Sequence, residues 1–257
     1  MPALPRLKLP DVVSIAFETN GKGYLGFIVE LPGAFVRGKT KNEAIAKVNQ
    51  EVNLYLKWLN MEKKHDYSVK VVQMHRSSLM VEDADNEILL EADKETMDEE
   101  EFKDLLNLAW FSGETFLRLY TSTKFKDWVD DARIRKTFYG DNLTTIQEIF
   151  DHVKVCQYYY LSRTGYEFEE KEEGFMETGK FCTEKIRELN FKNNNSIVFD
   201  VDNELWTLKK ILRRFIWHDR IHGKAMTRIL EKQRQLGMID GYDDPFHFMD
   251  VTSYNKK

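Results

Sequence analysis

The segment "FIWHDRIHGKAM" (215–226) sets His218 and His222 four positions apart. In a helix, positions i and i+4 lie about one turn apart on the same face. Both rings could then offer a nitrogen to a single cation at about 2.0–2.1 Å. Paired histidines also decorate ordinary helix surfaces, so the spacing alone does not choose between the two roles. A third imidazole, His152, sits in "IFDHVKV" beside Ile149, Phe150 and Val153. A lone histidine in such surroundings serves as a hydrogen-bonded core residue as readily as a ligand. Packed helices, however, build metal sites from side chains on facing elements. Three histidines could bind Zn²⁺, Ni²⁺ or Mn²⁺ and leave positions open for water or substrate.

The neighbours of these histidines carry weaker signals. Cys156, four residues after His152, is either a fourth ligand or metal-proximal thiol, or a small buried hydrophobe of the kind free cysteines commonly are. Cys182 reads as core packing. Glu148, one turn before His152, is a candidate acceptor that would fix the ring's tautomer, against a plain surface carboxylate. Asp151 and Asp219 adjoin ligand candidates but project about 100° away on a helix. The tyrosines 158–160 read as packing residues. His65 and His75 lie elsewhere and offer no cluster, and His247 is isolated. No catalytic residue can be assigned from the sequence.

Positioning these residues requires helices, and the pattern supplies them in the second half of the chain. Segments 99–122, 142–165, 172–189 and 203–237 each carry an apolar stripe at helical spacing. Thr144 or Thr145 is the expected cap of the second, and Gly237 ends the fourth. With no strand pattern between them, a four-helix bundle over 98–240 is the expected architecture. The first ninety residues differ. "VVSIAFET" (12–19), "YLGFIVEL" (24–31), a short run to Gly38, "YSVKVVQM" (67–74) and, more weakly, "EILLEA" (87–92) read as strands. "NEAIAKVNQEVNLYLKWL" (42–59) reads as a helix opened by Thr40 with Glu43 in a capping box. The expected organisation is an α+β domain over 1–93, with a small antiparallel sheet and a helix, then the all-α unit and a tail from 241 to 257. The acidic stretch between the domains reads as a solvated connection, and the basic residues of the last helix as its solvated outer face.

Composition narrows the classes. The 257 residues are 42% hydrophobic and 32% charged with net charge -5, a globular profile that argues against nucleic acid as a partner. "MPALPRLKLPDVV" lacks the continuous apolar stretch of a signal peptide, and no run reaches the roughly 20 apolar residues of a membrane span. Two cysteines make no disulfide framework, so a cytoplasmic protein with reduced thiols is expected.

Residues 99–237 resemble the DinB-like four-helix bundles. The likeness rests on His152 in "DHVKVCQYYY" and on "ELWTLKKILRRFIWHDRIHGKAM", where Trp206 opens the final helix and the histidine pair follows twelve residues later. The resemblance implies a divalent-metal centre held by His152, His218 and His222. It also implies a metal-dependent transfer of a low-molecular-weight thiol to a small electrophile, and pairing into homodimers. Residues 21–59 resemble the HicB-like antitoxin domain, a partial ribonuclease-H-like fold, through Gly23-Tyr24, Glu30-Leu31-Pro32-Gly33, Gly38, Thr40 and Glu43-Ala44. Ala34 stands where that family often has cysteine, and no short DNA-binding segment follows. A partner-binding or dimerising module is implied, with a non-catalytic, metal-stabilised scaffold as the alternative to an enzyme.

Overall fold

The computed structural model describes residues 9–63, 65–169, 174–193 and 197–249. The expected domain start at 1–8, the tail beyond 249 and the helix start at 172 lie outside those residues. The β-branched and aromatic runs form β1 (Val12–Thr19), β2 (Tyr24–Ile28) and β3 (Phe35–Gly38). They pair antiparallel, in a register that sets Ile15 opposite Ile28 and Phe27 opposite Phe35. The expected helix over 42–59 is broken into α1 (Lys41–Ile45) and α2 (Val48–Trp58). Thr40 caps α1 by accepting from the Glu43 amide, but the Glu43 carboxylate accepts the Lys39 amide at 2.9 Å, so only half of the expected capping box forms.

Strand β4 (Ser68–Arg76) corrects the expected antiparallel sheet, because it lies parallel to β1 in the order β3-β2-β1-β4. Parallel neighbours need a crossover, usually helical, and α1–α2 supply it. The sheet is therefore mixed. "EILLEA" is not a strand either. The buried Glu18 carboxylate draws this segment in by accepting the amides of Glu87 and Ile88, and a short 3-10 turn follows at Glu91–Lys94.

The second half is mostly helical. α3 (Glu99–Thr121) starts at Asp98, whose side chain accepts the Glu101 amide. A two-residue-per-strand hairpin, β5 (Lys136–Thr137) with β6 (Gly140–Asp141), precedes α4 (Ile146–Ser162). α5 (Phe175–Asn193) leads to a second hairpin, β7 (Phe199–Val201) with β8 (Glu204–Trp206). Thr207 then caps α6 (Leu208–Gln235). Trp206 thus ends a strand rather than opening the last helix, and strands do interrupt the helical run. Helix α6 packs on α3 and α4, and α5 on α3 and α4. No helix among the described residues is long and apolar enough to cross a membrane.

Helix α6 also packs on the sheet, which corrects the expected solvated face at four positions, while Lys209 and Lys224 are partly buried and Arg228 is exposed. Lys210, Arg213, Arg214 and Arg220 are all buried. The acidic connection is their counterpart rather than a solvated link. Asp93 pairs with Arg213 at 2.5 Å, and the backbone carbonyls of Asn86 and Glu87 accept from Arg214 and Lys210 at 2.7 Å each. Arg220 reaches Glu51 of α2 at 2.7 Å inside a wall formed by Tyr55, Trp58 and Phe248. Gly33, in the turn before β3, has φ +84, and a Cβ there would stand 2.5 Å from Ile216. The turn seats directly against α6. Phe246 and Phe248, in the expected tail, are buried in the same core.

Removing one partner of a buried ion pair strands the other charge, at about 3–5 kcal/mol. Glu51→Ala is therefore expected to lower unfolding free energy by that amount in urea denaturation, and Glu51→Leu with Arg220→Met to recover much of it. A loss below about 1 kcal/mol, the value of an exposed pair, would show that Arg220 does not depend on Glu51.

Candidate metal centre

Helix α4 begins at Thr145, whose hydroxyl accepts the Glu148 amide while the Glu148 carboxylate accepts the Thr145 amide at 3.0 Å. That reciprocal cap settles the choice between Thr144 and Thr145. It also corrects the expectation for Glu148. Its carboxylate faces the helix start, with Thr144 and Thr145 as partners, and these bonds hold its pKa below the ordinary value despite burial. It is not the acceptor for the His152 ring.

Two turns into α4, His152 meets the histidines of α6. The ring centroids of His218 and His222 are 4.4 Å apart, and that of His152 is 5.1 Å from the first and 4.8 Å from the second. One ring nitrogen from each lies within 4.8 Å of the others. Tetrahedral ligands at 2.0–2.1 Å from a metal stand about 3.4 Å apart, so small ring rotations bring the three onto one ion. Among the described residues, no protein hydrogen bond is made to the ring nitrogens of His218 or His222, and His152 meets only the Cys156 thiol. Unpartnered, converging nitrogens are the arrangement a cation needs.

Burial dominates the electrostatics. It lowers the pKa of all three rings, and mutual repulsion adds to it. His218 is opposed by His222, His152 and Arg214, and His222 by His152 and Arg133. The rings are neutral at physiological pH, so their lone pairs need no deprotonation before ligating. The Cys156 Sγ lies 3.7 and 3.8 Å from the two His152 ring nitrogens, and burial pushes its pKa up to about 12. It is a protonated thiol, partly buried beside the triad. Tyr160 packs edge-on to His218, centroids 5.4 Å apart. Asp151 faces Gln147, and Asp219 is buried near α3, its pKa raised to about 8 by burial. Both point away from the triad, as their helical positions imply.

The triad opens onto a cavity of about 440 Å³, within the usual range for small-molecule sites. Its walls come from α4, α6, the β5–β6 region and the N-terminal sheet, including Arg37, Asp85, Tyr139, Tyr159 and Trp217. Tyr139, next to the hairpin turn, stacks near His152 with centroids 5.9 Å apart. Nothing in the sequence pattern marks these wall residues, because they converge from separate segments. The same applies to His75. It was expected to stand alone, yet strand pairing sets it within 4.8 Å of Glu18 and Glu87. Glu18 already accepts two backbone amides there and His75 pairs with Glu87 at 3.1 Å, so the group is accounted for structurally. His65 lies near Asp11, and His247 neither joins the triad nor lines its cavity. Cys182 is fully buried.

Comparisons of the chain with protein-family models, curated proteins and solved structures found no match.

The lowered histidine pKa values carry a pH dependence. Below the unfolded value of about 6.5 the unfolded chain takes up protons that the folded triad refuses, so stability falls as pH falls. Chelator-treated protein is expected to lose unfolding free energy between about pH 7 and about pH 5. The loss should shrink in the His218→Gln, His222→Gln variant. An equal slope in both proteins, read by urea denaturation, would place the effect elsewhere.

Proposed function

We propose that the helical half is a DinB-like four-helix bundle whose His152, His218 and His222 hold one divalent cation, and that the protein transfers a small thiol to an electrophile. The observation that carries this reading is the convergence of three neutral imidazoles, His218 buried and His152 and His222 partly so, from two helices at the floor of a cavity large enough for a small molecule. The donor set fits Zn²⁺, Ni²⁺ or Mn²⁺, with nitrogen ligands favouring the first two. Three protein ligands leave coordination positions free, the pattern of catalytic rather than structural sites.

A bound divalent cation would lower the pKa of a coordinated thiol or water and supply an anionic nucleophile at neutral pH. The chain's own residues do the rest. The histidines, fixed on two helices, set where that nucleophile stands. The apolar and aromatic wall of Tyr160, Trp206 and Trp217 excludes bulk water from it. In the transfer, a sulfur–carbon bond forms, the bond from that carbon to its leaving group breaks, and the leaving group departs with the electron pair. The thiol proton passes to solvent or to the leaving group. The Cys156 thiol stands beside His152, but its raised pKa suits a protonated wall group rather than the nucleophile.

The scaffold alternative gave the N-terminal module a separate partner-binding role. That part of the chain instead supplies Arg37 of β3 to the cavity wall and, from α2 and the connection, the buried partners Glu51 and Asp93 to α6, which favours a joint role in one site.

Purified protein reconstituted with Zn²⁺, Ni²⁺ or Mn²⁺ is expected to retain about one ion per chain. His218→Gln should lose the ion while keeping its circular dichroism. A thiol-consumption screen with small electrophiles is expected to show turnover that the variant lacks. Full metal retention by the variant would remove the proposed centre. Metal lost together with thermal stability, and no turnover in the wild type, would favour the scaffold.

A further inference from the structure

The charge on the cavity wall is lopsided. Five arginines line it, Arg37 from β3, Arg133 and Arg135 from the segment before the β5–β6 hairpin, and Arg214 and Arg228 from α6, against three carboxylates, Asp83, Asp85 and Glu204. The carboxylates are largely spent. Asp83 pairs with Arg135 at 2.6 Å, and Glu204 holds Lys210 at 2.8 Å and Arg214 less closely at 3.6 Å. Asp85 is shifted toward its neutral form by burial.

That leaves Arg37, Arg133 and Arg228 with no ion pair among the described residues. Arg37 donates only to the Glu82 carbonyl, and Arg133 to the Leu143 carbonyl at 2.9 Å. Guanidinium groups keep their charge, so they repel one another where they gather. Burial comes first in opposing both charges and Arg228 and Arg135 add to it, while Asp83 and Glu82 near Arg37 and Asp130 near Arg133 offset only part, so the net shift is downward for both. Arg37 and Arg228 also line a second cavity, of about 610 Å³, with Lys22, Lys39, Lys47 and Lys224 against Glu43, Glu51 and Glu82, of which Glu43 pairs with Lys47 and Glu51 with Arg220. Positive charge therefore extends from the triad outwards.

We propose that this cavity binds a small organic anion, its carboxylate or phosphate oxygens seated between Arg37, Arg133 and Arg228 while its other end faces the histidines. Planar guanidinium forks match both kinds of oxyanion. The anion would neutralise repulsion that the protein alone leaves standing, and the basic rim would steer it inwards. The inference names the substrate class of the site proposed above and rests on that reading for the reactive end. The oxyanion seat itself stands on the arginines alone.

The test is calorimetric titration of the full chain with succinate and with inorganic phosphate, against chloride at equal ionic strength, in chelator-treated and metal-reconstituted protein. Saturable binding of either probe above chloride is expected, succinate preferred for a carboxylate ligand and phosphate for a phosphorylated one. Arg228 is exposed, so Arg228→Gln should fold normally and weaken that binding about tenfold, the scale of one charge-assisted hydrogen bond. Arg133→Gln is the second variant and should act in the same direction. No binding above chloride, or equal binding by wild type and both variants, overturns the inference. Metal content on the same samples separates the two readings. Anion binding retained by protein that takes up no metal supports the seat and removes the metal centre, whereas one ion per chain without anion binding removes the seat alone.

Discussion

The structure turns on the burial of α6 with its charges compensated. A helix carrying Lys210, Arg213, Arg214 and Arg220 within eleven positions would ordinarily face water. Each such cation, buried without a partner, would cost several kcal/mol. Here each finds an acceptor on a segment far away in the chain, Glu51 on α2 or Asp93 and the backbone of 86–87 on the connection, and Lys210 also reaches the nearby Glu204 on β8. Those acceptors sit on different sides of the helix and fix its rotation about its own axis. That rotation decides where His218 and His222 point. The placing of the histidine cluster therefore rests in part on ion pairs outside it, those of Arg213 with Asp93 and Arg220 with Glu51.

Arg220 shows how the compensation is made. It is fully buried, with one close contact to Glu51, while the rings of Tyr55, Trp58 and Phe248 surround its guanidinium at 4.6 to 5.1 Å. Its Nε and Nη1 have no hydrogen-bond partner. Aromatic faces take over part of what a polar partner would do. This contact joins α2, α6 and the segment after α6 at one point. The N-terminal sheet is thereby a wall of the site rather than an appended module, and Arg37 reaches the cavity on the histidines' side because of it.

A division of labour follows within the cavity. The floor is made of neutral groups, three imidazoles and a protonated thiol, whose lone pairs suit a cation. The wall above it carries five arginines against three carboxylates, an excess of positive charge that suits an anion. A molecule carrying an oxyanion at one end and a soft or reactive atom at the other satisfies both at once. The β5–β6 hairpin contributes Tyr139 beside His152, while Arg133 and Arg135 just before it belong to the rim, so one short segment touches both ends.

Local patterns were legible in the sequence because they depend on residues close together in the chain. The strands of the first half, the four long helices, the caps at Thr40 and Thr145, and the shared face of His218 and His222 all follow from spacings of two to four residues, which backbone geometry converts directly into position. Convergence of His152 with that pair was an inference from how helices face one another, and the coordinates place the three rings together. What sequence spacing could not reach was anything set by which segments meet. The parallel pairing of β4, the loss of "EILLEA" as a strand, the burial of much of the basic face of α6 and the gathering of the rim arginines all depend on partners tens of residues away. A charged side chain looks the same in a sequence whether water or a buried carboxylate awaits it, and only the tertiary fold decides which.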